Sequence, residues 1–145
     1  MKTLIIGIDG GTFRWIDPMA SSGVMPNMKR LMNNGAKSVL MSTMPPITGP
    51  AWYAFATGMA PGSTGVFDTL VRPSAGEFRL APIDSGRFRE RALWDMLGGR
   101  GLKMGVVNYP MLYPAYEING VMVAGGGEAK FGEITHAKEL RQDVD

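Results

Sequence analysis

Thr48 is the side chain in this sequence best placed to do chemistry. It stands in the run Pro45-Pro46-Ile47-Thr48-Gly49-Pro50-Ala51-Trp52, ahead of a proline suited to the first turn of a helix, where a missing N–H costs nothing. The unpaired N–H groups of such a turn, together with the helix dipole, attract anions. Gly49 offers a backbone N–H with no side chain in the way. A hydroxyl in that position can meet a phosphate. Upstream, Leu4-Ile5-Ile6-Gly7-Ile8-Asp9-Gly10 is an apolar run that ends on a carboxylate. It reads as a buried parallel strand with Asp9 at its carboxyl end, the edge where open α/β sheets bind ligands. A carboxylate and a hydroxyl on one rim suggest a metal-assisted phosphoryl or phosphodiester site. Each residue also has a plainer role. Asp-Gly after a strand is ordinary turn chemistry, and a Thr before Pro50 can cap a helix.

The elements that would position these residues follow from the periodicity. Residues 3–8 read as a strand, and Phe13, Trp15 and Ile16 as a short turn of helix. Pro26 opens a helix through Asn33, with Gly35 as its stop. Val39 to Met41 reads as a second strand. A buried helix is expected from Pro50 to Thr57, ended by Gly58. Residues 59–90, rich in Gly and Pro, form an irregular excursion on which a substrate could rest. Ala92 to Leu97 reads as a short helix, Leu102 to Val107 as a third strand with Asn108 at its carboxyl end, and Val121 to Ala124 as a fourth. Residues 135–144 carry an amphipathic helical pattern. This alternation argues for an α/β fold with a largely parallel sheet and flanking helices, in one domain over residues 1–145. The chain's last residues fall inside that helical pattern, which leads to the expectation of an incomplete domain.

Composition narrows the function. The chain has 145 residues, a formal charge of +2, no cysteine and one histidine. The charge is too small and too scattered for a nucleic-acid polymer to be the partner. The absence of cysteine removes disulfides and thiolate metal sites. No apolar run approaches a membrane span. Asp9-Gly10-Gly11 interrupts the first apolar segment too early for a signal peptide, so a cytoplasmic location is expected. Before Glu77 the only acids are Asp9, Asp17 and Asp68, which leaves few metal ligands in the first half. Trp52, Tyr53 and Phe55 read as helix packing rather than a base-stacking platform. The twelve methionines read as core filler. His136 reads as a surface residue near a helix start, and Arg87, Arg89 and Arg91 as a solvated charged segment.

In order and spacing, the motifs resemble the N-terminal part of the type I phosphodiesterase/nucleotide pyrophosphatase family, within the alkaline phosphatase superfamily. The resemblance is carried by Ile8-Asp9-Gly10, Gly23 to Leu31, Gly35, Pro45 to Trp52 and Phe55 to Val66, with weaker matches at Asn108-Tyr109-Pro110 and Gly120 to Val123. It implies an alkaline-phosphatase-like core and hydrolysis of phosphodiester or pyrophosphate bonds in a small-molecule or nucleotide substrate. It also implies a nucleophile at Thr48 and two divalent ions, zinc by analogy, with Asp9 and Thr48 among the metal ligands. Gly49 and Asn108 would bind substrate. Eukaryotic members commonly carry an Asn shortly after the nucleophile; here Ala51 and Trp52 occupy that region, which turns attention to Asn108. The family's remaining ligands, several His and Asp, lie downstream of the residues matched, so the isolated chain is expected to be inactive and to self-associate through an exposed sheet edge or apolar face. Two other readings stand beside this one. A non-catalytic α/β module needs no metal site. Gly7-Ile8-Asp9-Gly10-Gly11-Thr12 also resembles the phosphate hairpin of actin-like sugar kinases, although Phe13 to Gly23 lacks the alternation of a second strand.

Overall fold

The computed structural model describes residues 2–74, 76–125 and 135–136. They divide into two compact units, Met1–Met41 and Ser42–Asp145.

In the first unit, Thr12 takes an extended backbone and its hydroxyl accepts the Arg14 N–H at 3.4 Å. That cap starts α1 (Phe13–Ser21), which is longer than the short turn the sequence predicts. Pro18 lies inside it and forfeits one backbone bond. Residues 26–34 form α2 (Pro26–Asn34), with Pro26 in its first turn and Gly35 after its last residue, one residue longer than expected. Lys37 pairs with Asp17 at 2.6 Å and lies 4.4 Å from the centroid of the Phe13 ring.

The expected strands at 3–8 and 39–41 are not strands. Neither pairs with any other segment among the described residues. Leu4, Ile6, Val39 and Leu40 are 82%, 69%, 77% and 89% exposed. An apolar run states a need for burial, but a strand also needs a neighbour to take its N–H and C=O groups, and no described segment does so.

The second unit holds a packed core. Helix α3 (Thr48–Thr57) begins two residues before the expected start and ends on Gly58, whose φ of 69° and N–H bond to the Ala54 carbonyl make the left-handed cap that glycine permits. A four-residue helix, α4 (Pro61–Thr64), follows. The excursion that the sequence leaves irregular contains an antiparallel pair, β1 (Leu70–Val71) with β2 (Ala81–Pro82), and a 3-10 turn at Ser85–Arg87 capped by Asp84. Helix α5 (Leu93–Gly98) stops at Gly99. The larger sheet has the order β3 (Met104–Tyr109), β4 (Gly120–Ala124), β5 (Thr135–His136). The β3–β4 pair is parallel, as expected, whereas β4–β5 is antiparallel. Thr135 and His136 therefore do not start a helix as predicted; the rest of that predicted helix lies outside the described residues. The α/β class stands, and the parallel sheet is confirmed for one strand pair.

Aromatic side chains fill the core between α3, α5 and β3. Phe88 is fully buried, 5.0 Å from Tyr53 and 6.0 Å from Trp94 between ring centroids; Tyr109 lies 5.0 Å from Trp94 and 5.1 Å from Trp52. The Tyr53 hydroxyl donates to the Arg87 carbonyl at 2.8 Å, and the Tyr109 hydroxyl donates to the Trp52 carbonyl. Aromatic pairs at such separations add to the burial of their large apolar areas. Trp52, Tyr53 and Tyr109 thus pack against or within the core, as the sequence predicts for Trp52 and Tyr53; Phe55, predicted to pack with them, is 51% exposed.

Candidate active site

Thr48 is the first residue of α3 and is half-buried. The cap position belongs to Ile47, with an extended backbone and a side chain that cannot accept a hydrogen bond. Thr48 thus stands one residue inside the helix from its cap position. The N–H groups of Thr48 and Gly49 have no carbonyl one turn back within the helix, and the first helical bond runs from the Ala51 N–H to the Ile47 carbonyl at 3.2 Å. Pro50, with no N–H to leave unpaired, fits this first turn.

Gly49 is buried against the chain that follows α4. A Cβ at this position would lie 2.7 Å from the Asp68 carbonyl carbon and oxygen and from the Thr69 nitrogen. Glycine is required here by packing, whatever its part in binding a phosphate. This contact brings Asp68 and Thr69 to the start of α3, although no spacing in the sequence singles them out. The one available signal is that Asp68 is a rare acid in an acid-poor half. The Asp68 carboxylate accepts from the Thr69 N–H at 2.6 Å and from the Thr69 hydroxyl at 3.2 Å, so the turn is fixed by its own side chain.

Asn108 lies at the carboxyl end of β3, as predicted. It takes a left-handed backbone, φ 54°, where the register with β4 slips between Val107 and Tyr109. This is a bulge, and Asn tolerates the conformation better than most residues. The Gly125 backbone passes so close that a Cβ there would fall 2.5 Å from the Asn108 carbonyl carbon. The neighbouring Tyr109 reaches α3 through the Trp52 carbonyl. The start of α3 and the carboxyl end of β3 thus belong to one packed body, which is what a site shared by Thr48, Gly49 and Asn108 requires.

Asp9 belongs to the first unit. It is exposed, in a turn closed by the Gly11 N–H to the Ile8 carbonyl at 3.2 Å, with Gly10 at φ 64°. The turn chemistry of Asp-Gly is therefore observed. Helix α1 begins at Phe13, where the kinase-type phosphate hairpin would need a second strand, so that resemblance fails on local structure.

A second polar cluster lies in the core. The Trp94 indole donates to the Tyr116 hydroxyl at 2.6 Å, and that hydroxyl donates to the Asp95 carboxylate at 2.8 Å. The Arg89 guanidinium lies 4.8 Å from the centroid of the Tyr116 ring. Burial raises the Asp95 carboxyl above its ordinary value of 3.8, and bonds from Tyr116 and the backbone oppose the rise. Burial likewise pushes the Tyr116 hydroxyl upward. The cluster ties α5 to the segment before β4.

Among the described residues, no group of three or more His, Cys, Asp or Glu side chains could hold a metal ion. A carboxylate such as that of Asp9 or a hydroxyl such as that of Thr48 is an oxygen donor of the kind a divalent ion accepts, but a two-ion centre needs more ligands than one of each. The described residues therefore do not make up such a centre by themselves. Among the described residues, no helix is long and apolar enough to cross a membrane.

Comparison with known proteins agrees with the motif order. Searches of curated proteins and of solved structures return no match. A family model, Type I phosphodiesterase / nucleotide pyrophosphatase, matches residues 3–144. This is a family of hydrolases that generally depend on divalent metals. With the match running over nearly the whole sequence, the chain belongs to the type I phosphodiesterase/nucleotide pyrophosphatase family.

Proposed function

We propose that this chain carries the nucleophile of a metal-dependent hydrolase of phosphodiester or pyrophosphate bonds, and that the nucleophile is Thr48. The observation that carries the reading is the position of Thr48 as first residue of α3, behind an apolar cap residue and beside the first-turn N–H groups. In the reaction, a bond forms from the Thr48 oxygen to phosphorus as the bond to the leaving alcohol or phosphate breaks. Water then cleaves the threonyl phosphate and restores the hydroxyl. The N–H groups of Thr48 and Gly49 would face the negative charge that builds on the phosphoryl oxygens. Asn108 would add a side-chain amide, and Asp9 a carboxylate ligand for one of two ions, zinc by family analogy.

The test is Thr48→Ala in the protein expressed from its whole reading frame. Phosphodiester cleavage should fall to background with an unchanged circular dichroism spectrum, and Thr48→Ser should keep part of the activity. A Thr serving only as a local cap would cost about 1 kcal/mol of stability and leave turnover intact.

The non-catalytic reading is favoured by one observation, the lack of a three-ligand metal cluster among the described residues. Metal content separates the two. The 145-residue chain should carry well under one zinc per molecule and turn over bis-p-nitrophenyl phosphate poorly. The protein from the whole reading frame should carry close to two zinc ions if it is a hydrolase. Retention of no zinc by that protein would support the non-catalytic module.

A further inference from the structure

The connection between β1 and β2 projects from the second unit. Every described residue from Arg72 to Leu80 is exposed, whereas the stem beneath it is anchored. Val71 and Ile83 are buried in the core cluster. The Ile83 N–H donates to the Thr69 carbonyl at 2.9 Å, and the Arg87 guanidinium donates to the Arg72 carbonyl at 2.7 Å. At the tip, Gly76 takes a φ of 90° and the Glu77 N–H reaches the Ser74 carbonyl at 3.3 Å. The projection is a turn on a braced stem.

Side chains alternate between the two faces of a paired strand. Val71 and Ile83 point into the core, so Leu70 and Pro82, opposite each other in the register, stand on the outer face. The same alternation carries Arg72 and Leu80 to that face. The Arg72 guanidinium lies 5.6 Å from the centroid of the Phe78 ring, which brings Phe78 beside them. Phe78 is 89% exposed, Leu80 is 55% exposed and Leu70 nearly half. A single exposed apolar side chain is ordinary; three on one face beside a cation form a pattern. Arg79 adds a second cation to the tip, against the one acid Glu77. A protein partner would need a socket cut to this tip. A bilayer needs none. Its interface accepts an aromatic ring at headgroup depth, and arginine stems lie along apolar surface while their guanidinium groups stay among the phosphates.

We propose that the outer face of the β1–β2 hairpin docks on a membrane surface rich in anionic phospholipid. Phe78 and Leu80 enter the interface, and Arg72 and Arg79 meet the headgroup phosphates. The docking does not rest on the Thr48 reading.

The sequence has no cysteine, so a polarity-sensitive fluorophore can be attached at one chosen position of the 145-residue chain. The probes are vesicles of phosphatidylcholine, alone or mixed with phosphatidylserine. A label at Leu80→Cys should shift to the blue with the mixed vesicles, and a label at Lys103→Cys, another exposed site of the second unit, should not. In sedimentation with the same vesicles, Phe78→Ser should weaken binding by about tenfold or more, and Arg72→Gln by about fivefold. Both sites are exposed, so the circular dichroism spectrum should stay unchanged. High salt should remove the preference for the mixed vesicles. Absence of vesicle binding, equal shifts at the two labels, or indifference to Phe78→Ser overturns the proposal. So does equal binding to the two kinds of vesicle at low salt. Blue emission from the Leu80→Cys label without vesicles also overturns it: a rise with protein concentration assigns the face to a second copy, and independence of concentration assigns it to another part of the same chain.

Discussion

The two units treat apolar sequence in opposite ways. In the first, Leu4, Ile5, Ile6 and Ile8 are all more than half exposed, and Ala20 is the one buried core residue described. In the second, Val106 and Met122 are 8% and 0% exposed on a parallel strand pair, and Phe88 and Leu112 are at 0%. The two kinds of run look alike in composition. The difference is the neighbour. β3 and β4 take up each other's backbone groups and lie against aromatic residues from α3, α5 and the segments between them. Burial of a large side chain stabilises by about 1.5–3 kcal/mol relative to exposure, and that contribution is concentrated in the second unit.

Core truncation gives the largest expected contrast. Phe88→Ala should destabilise by about 3–5 kcal/mol, whereas Leu40→Ala, at an 89% exposed site, should stay within about 0.5 kcal/mol. Urea midpoints compared at a constant slope measure both. Similar losses for the two would show that the exposed run is packed in solution and would end the contrast. A smaller effect sharpens the role of the α3 start. Gly49→Ala inserts a methyl against the Asp68–Thr69 backbone and should cost about 1–3 kcal/mol of stability, read from the same melts. A stable Gly49→Ala protein would mean that the backbone there yields easily and that the glycine serves binding more than packing. The smallest effect concerns Asp95. Its folded carboxyl titrates above 3.8 because of burial. The folded state therefore holds that proton more tightly than the unfolded chain, and stability from this group falls as pH rises from 3.8 through the folded value. Asp95→Asn should flatten the stability–pH curve in that window. A slope equal to that of the wild-type protein would assign the dependence to other groups.

What the sequence disclosed was local, and what it concealed was mutual. Pro26, Gly35, Gly58 and Gly99 mark helix ends through backbone chemistry that each carries alone, and α2, α3 and α5 fall within one or two residues of expectation. The predicted strands at β3 and β4 also hold, since their apolar residues find partners. Residues 3–8 carry an equal signal without a partner among the described residues, so the same inference fails there. The β1–β2 pair is only two residues per strand, too short to leave a pattern against the surrounding Gly and Pro. At the candidate site, Thr48, Gly49 and Asn108 could be named from turn and cap chemistry. Asp68 and Thr69 could not, because their relevance comes from a backbone approach between residues some twenty positions apart.

Helix α3 is fastened at two points. Near its start, the Asp68–Thr69 backbone leaves no room beyond the Gly49 α-carbon; farther along, the Tyr109 hydroxyl grips the Trp52 carbonyl. A cylinder held at one point can still roll, and a slip of one residue would swing its leading side chain about 100° around the axis, from 3.6 residues per turn. Held at two, it can neither roll nor slide without breaking a contact on a different neighbour. If Thr48 is the nucleophile proposed above, its oxygen inherits a positional tolerance set by core packing, in a range where a misplacement of about 1 Å can cost two orders of magnitude in rate. On the Thr48 proposal, substitutions at Tyr109 would therefore be felt as a loss of aim.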